Sequence, residues 1–87
     1  MTATTVPVTV RYFAAARAAA GHEEETIRIR PDLTLAELVA QLAERDAALA
    51  KVLKRCSFLL DNVAVRDTDV AIGNARTVDV LPPFAGG

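Results

Sequence analysis

The chain has 87 residues, with ten Lys+Arg against eleven Asp+Glu and a formal net charge of -1. That length bounds it to one small domain, and the balanced charge leaves no basic footprint for nucleic acid or anionic lipid. Hydrophobic residues make up 52%, but 17 of them are alanine, so the large apolar side chains suffice for one core under one sheet. The single cysteine, Cys56, excludes an internal disulfide framework and a cysteine-based zinc site. No apolar run approaches the roughly 20 residues of a membrane span, and Met1 to Val10 lacks the positive charge that opens a secretory signal. A reducing, cytoplasmic setting is the expectation.

Val6, Val8, Val10 and Tyr12 alternate with Thr9 and Arg11, the two-residue period of a half-buried strand, and Pro7 falls near its start. Ala14 to Ala20 reads as a short helical turn stopped by Gly21. Glu25 to Arg30 alternates again, with Ile27 and Ile29 inward, and Pro31 closes this second strand. The principal helix begins after Thr34. Thr34 and Glu37 have the spacing of a capping box, and Leu35, Leu38, Val39 and Leu42 form one apolar stripe. A shorter helical segment from about Asp46 carries Leu49, Val52 and Leu53, with Lys51, Lys54 and Arg55 suited to the negative end of its dipole. Ser57 to Leu60 and Val63 to Val65 read as strands around an Asp61-Asn62 hairpin turn. Arg66 to Arg76 is loop, and Val78 and Val80 are the inward residues of a final strand. The order predicts an α+β domain, a small mixed sheet packed on one main helix over residues 1–82. Residues 83–87 form a separate tail.

That tail carries the functional signal. Pro82-Pro83 favours an extended backbone that projects the end away from the sheet. The five residues past Pro82 can reach roughly 16 Å. Gly86 and Gly87 lack a Cβ, so they can enter a narrow channel and let another backbone or cofactor approach closely. A frayed end is the plainer alternative. The stiff spacer, slim tip and carboxylate together favour a delivered chemical group.

Strand parity locates a second candidate. Leu81 shares a face with Thr77 and Asp79, Phe13 with Thr9 and Arg11, and Leu59 with Ser57 and Asp61. Large apolar residues on otherwise polar strand faces, close to the tail, read as a partner patch. The competing reading turns Phe13 inward at the strand end and puts Leu59 under the short helix. His22 sits beside Gly21 and reads as solvated, and Glu23-Glu24-Glu25 reads as a solvated hairpin end, with partner steering as the alternative. Cys56 reads as packed and inert, with Lys54 and Arg55 leaving a reactive thiol as the alternative.

The ending Leu81-Pro82-Pro83-Phe84-Ala85-Gly86-Gly87 resembles the MoaD/ThiS family of ubiquitin-like sulfur carriers, on its molybdopterin synthase branch. Val10-Arg11-Tyr12-Phe13-Ala14-Ala15-Ala16-Arg17, followed by Gly21, is similar to that family's opening strand and turn, and Asp61-Asn62 to its short hairpin. Gly73-Asn74-Ala75-Arg76 departs from the acidic turn usual before the last strand. The resemblance implies a β-grasp fold and a catalytic role for Gly87, assisted by Gly86, through adenylation and conversion to a thiocarboxylate. It also implies a partner surface of Phe13, Leu59, Leu81, Pro82, Pro83 and Phe84. The implied partners are a large catalytic subunit in a heterotetramer, a ubiquitin-activating-type adenylyltransferase that consumes ATP, and a sulfur donor protein. No metal site, permanently bound cofactor, nucleic acid or membrane is expected. Carriers for thiazole or cysteine synthesis, a lysine-linked protein modifier, and an interaction module with an inert tail are the alternatives.

Overall fold

A computed structural model describes residues 4–83. The elements run β1 (Val6–Tyr12), α1 (Ala14–Ala20), β2 (Glu24–Ile29), α2 (Leu35–Arg45), α3 (Ala47–Leu53), β3 (Ser57–Leu60), β4 (Val63–Val65) and β5 (Thr77–Leu81). They build one five-stranded sheet in the order β2-β1-β5-β3-β4. The first and last strands lie side by side in its centre and pair in parallel, while every other pairing is antiparallel. This is the β-grasp arrangement.

Local chemistry accounts for the boundaries. Thr34 caps α2 reciprocally with Glu37, the Glu37 N–H donating to Thr34 Oγ1 at 3.1 Å and the Thr34 N–H to Glu37 Oε1 at 2.9 Å. Asp46 caps α3 by accepting from the N–H groups of Ala48 and Leu49, which starts this short helix directly after α2. Gly21 ends α1 at a φ of 85°, a left-handed conformation that costs glycine nothing. Asp61 and Asn62 take φ values of 47° and 70°, as a two-residue hairpin between twisted strands demands. β2 begins and ends one residue earlier than its alternation implies.

The strand residues Val8, Val10, Tyr12, Phe58, Val78 and Val80 and the helix residues Leu35, Leu38, Leu42, Leu49 and Leu53 form one buried cluster. Its helices cover a single face of the sheet. Val39 and Ile27 are only half-buried at its margin. Leu33 and Ile72 complete the core from loops: the Ile72 N–H donates to the Leu33 carbonyl at 2.9 Å, and the Leu35 N–H donates to the Val70 carbonyl at 3.0 Å. The long loop before β5 is thereby laced to the start of α2.

Candidate functional site

Among the described residues no element covers the face of the sheet opposite the helices, and the strand register arranges that face in rows. Thr26, Thr9 and Thr77 form one row across β2, β1 and β5. The next contains Glu24, Arg11, Asp79, Leu59 and Ala64, one residue from every strand. Leu81 and Ser57 face each other in the row nearest the tail, and Phe13 follows Tyr12 one register step beyond the Tyr12–Val80 pair. The three apolar residues singled out by parity therefore share this face. Leu59 and Leu81 are half-buried, and Phe13 is 40% exposed. Leu59 lies opposite Asp79, so it is not under the short helix. Phe13 stays outside because the chain turns sharply after it, Ala14 entering α1 at a φ of 50°.

Asp79 is the feature that parity alone does not reveal. It is 3% exposed although it sits on the open face. Arg11 covers it with a two-pronged ion pair, Nε to Oδ1 at 2.5 Å and Nη2 to Oδ2 at 2.8 Å. Nη2 also donates to Asn62 Oδ1 at 3.2 Å. The planar guanidinium matches the carboxylate in both distance and direction, which fixes Arg11 flat against the sheet.

The tail root lies beside a different surface. Leu81 ends β5, Pro82 is half-buried and Pro83 exposed. Both prolines line a groove of about 540 Å³ with Ala15, Val52, Lys51, Lys54 and Arg55. Lys51, Lys54 and Arg55, which suit the α3 dipole by sequence, thus also flank the exit of the tail. Phe84, Gly86 and Gly87 lie outside the described residues.

Two expectations about charged residues change. Glu25 is no solvated hairpin end: it accepts from Tyr12 Oη at 2.6 Å and pairs with His22 Nε2 at 3.1 Å and Arg45 Nη1 at 2.9 Å. Burial alone would push this carboxyl up, but those three partners together hold it below its ordinary value. His22 is exposed yet engaged, its ring centroid 5.8 Å from that of Tyr12. Cys56 lies just before β3, half-buried, donating from Sγ to the Val52 carbonyl at 3.2 Å. Burial raises its thiol above the ordinary value, which disfavours the thiolate and accords with packing. Among the described residues, no group of three His, Cys, Asp or Glu side chains is placed to hold a metal ion, and no helix is long and apolar enough to cross a membrane.

A five-stranded β-grasp sheet whose central strand runs out into two prolines defines a ubiquitin-like fold. The ThiS family pattern matches residues 10–87, and the chain belongs to that family. It is 35% identical over 81 residues to the molybdopterin synthase sulfur carrier subunit of Chlamydomonas reinhardtii, covering 92% of this chain and 98% of that one. Identity to the molybdopterin synthase sulfur carrier subunit of Mycosarcoma maydis is 30% over 89 residues, with 95% and 96% covered. Among solved structures, the Haloferax volcanii HVO 2177 protein superposes with a TM-score of 0.81 at 26% identity, covering 95% of this chain and 88% of the other. A protein–protein complex of subunits 1 and 2 of the molybdopterin-converting factor from Helicobacter pylori contains a chain matched with a TM-score of 0.64 at 23% identity, over 94% of this chain and all of that one.

Proposed function

We propose that this chain is a sulfur-carrier subunit of molybdopterin synthase, acting in molybdenum cofactor biosynthesis through the carboxylate of Gly87. The observation that carries this reading is the Pro82-Pro83-Phe84-Ala85-Gly86-Gly87 ending, which follows directly on the central strand β5 in a chain of this family. The identity to two molybdopterin synthase carriers over nearly the full chain supports the choice of pathway.

The chemistry follows from what a carboxylate lacks. Its leaving group would be oxide, so it must first be activated. A Gly87 carboxylate oxygen attacks the α-phosphorus of ATP in an activating adenylyltransferase, pyrophosphate leaves, and a mixed anhydride forms. A sulfide-equivalent nucleophile from a sulfur donor protein then displaces AMP and leaves a thiocarboxylate. In the large catalytic subunit that sulfur passes to a cyclic pyranopterin monophosphate on the way to a dithiolene, and water restores the carboxylate. ATP is spent by the activating enzyme and is not held by this chain. Phe13, Leu59 and Leu81 dock the carrier on the large subunit, and Pro82, Pro83 and Phe84 lead the tail into its active site. The Helicobacter pylori complex of subunits 1 and 2 supports such a pairing.

Two measurements test the reading. Intact mass of the protein from its own host should show a population in which one oxygen is replaced by sulfur. Deleting Gly87 moves the reactive carbon back by roughly 3.3–3.6 Å, and a misplacement of even 1 Å can cost on the order of 100-fold in rate. Gly86→Val adds a branched side chain where the channel expects none. Both variants should fold and bind the large subunit, yet lose ATP–pyrophosphate exchange with the activating enzyme. Undiminished exchange in the Gly87 deletion would overturn the carrier reading, and mass addition to protein lysines would replace it with a modifier.

A further inference from the structure

We propose that the Arg11–Asp79 pair is a specificity element of the docking face, and that the large subunit must place a neutral oxygen acceptor, a backbone carbonyl or side-chain amide, over Nη1 of Arg11. This inference rests on the docking role given above to Phe13, Leu59 and Leu81.

Asp79 stands between Leu59 and Leu81 on that surface, with the Arg11 guanidinium folded over it. Arg11 and Asp79 are directly opposed across the two central strands, and Leu59 is the next residue in the same row. Leu81 follows Asp79 two residues along β5, on the same face. A partner that covers the apolar residues therefore covers Arg11, whose side chain is still 36% exposed.

A guanidinium has five N–H donors in a fixed plane. Arg11 commits Nε and one N–H of Nη2 to Asp79, and the other N–H of Nη2 to Asn62. The two donors of Nη1 meet no acceptor among the described residues. Water serves them while the face is open. Docking strips that water, and a buried donor without a partner costs the complex about ten- to a hundredfold in affinity. The bidentate grip of Asp79 prevents the group from swinging away, so Asp79 acts as a positioning residue.

The sign of the acceptor follows from the charge already present. Arg11 and Asp79 cancel, and Glu24 is the next side chain in the row on the β2 side. A partner carboxylate would be buried beside the carboxylate of Asp79 in a drying interface, where like charges repel most. A neutral oxygen completes the network without adding charge. The apolar residues thus contribute contact area, while the ion pair sets register and penalises surfaces that lack an acceptor at that point.

Binding to the large subunit from the same host, measured by calorimetry, tests this with three variants. Arg11→Met/Asp79→Leu replaces the pair by apolar side chains, a change that buried ion pairs commonly tolerate. It should retain the native circular dichroism and a cooperative melt but bind about tenfold or more weakly, because the partner's acceptor now faces Met. Arg11→Lys keeps the charge, loses the fork, and should weaken binding similarly; it carries the test if the double variant does not fold. Leu81→Asp separates the two levels. If it abolishes binding while both Arg11 variants bind like wild type, the ion pair is only structural and the inference fails. If Leu81→Asp also binds like wild type, the docking reading itself fails. Wild-type affinity should change little between low and high salt, and a steep loss would identify a carboxylate and overturn the neutral acceptor.

Discussion

Asp61 and Thr77 are tied to each other in both directions. The Asp61 N–H donates to the Thr77 carbonyl at 3.0 Å, and the Thr77 N–H donates to Asp61 Oδ1, also at 3.0 Å. The same oxygen accepts from the Arg76 N–H at 2.8 Å. One turn residue thereby locks the β3–β4 hairpin to the start of the central strand that leads to the tail. The N–H groups of Arg76 and Thr77 also hold this carboxyl below its ordinary range.

Asp61→Asn keeps an acceptor oxygen and tolerates a φ of 47°, whereas Asp61→Ala loses the acceptor and strains the turn. Thermal melts should rank wild type above Asn and Asn above Ala. An Ala variant as stable as wild type would show that the tie contributes nothing.

Acid should weaken the fold through Glu25. Its carboxyl lies below the ordinary value near 4.5 in the folded chain, so the unfolded chain binds more protons just below that pH. Stability therefore rises with pH through this window, is complete above it, and is lost as pH falls through the lowered folded value. Urea midpoints taken from pH 6 down to pH 3 should fall, and Glu25→Gln should flatten the profile. An unchanged profile in that variant would remove Glu25 from the acid response.

Leu38 is fully buried among the strand residues, at the centre of the α2 stripe. Leu38→Ala should cost about 2–5 kcal/mol, a large fraction of what so small a domain has to lose. Equilibrium unfolding in urea measures this directly. A midpoint equal to that of wild type would mean that α2 packs in another register.

Docking should depend on the row nearest the tail. Leu81→Asp puts a charge into the desolvated centre of the patch and should weaken large-subunit binding by about 2 kcal/mol or more. Glu23→Ala and Glu24→Ala, both at exposed positions, should change it little. Titration calorimetry that found the reverse order would move the interface off the sheet face.

The strands, the two principal helices and the hairpin were legible because each rests on local signals. Alternation marks Val6 to Tyr12, the capping box marks Thr34 and Glu37, and Asp61-Asn62 marks the turn. Leu33 and Ile72 escaped because their burial depends on a loop returning to α2, and loop residues carry no period. Asp79 escaped for a related reason. Parity puts it with Arg11 on a face that reads as solvated, and only the pairing of the first strand with the last, 68 residues apart in sequence, brings the two charges together. Glu25 likewise gains its role from Arg45, a residue on another element. Signals that span the chain are invisible to a window a few residues wide.

The parallel pairing of β1 with β5 has a mechanical consequence. A pull on Pro82 against an anchor at Val6 acts on opposite ends of two adjacent strands that run the same way. Such a load slides the strands along each other, so every hydrogen bond between them shares the strain and none can be peeled first. Forced unfolding is governed by the rate of crossing that barrier, not by equilibrium stability. A motor hauling on Pro82 against a hold at Val6 would have to shear the central ladder in one event.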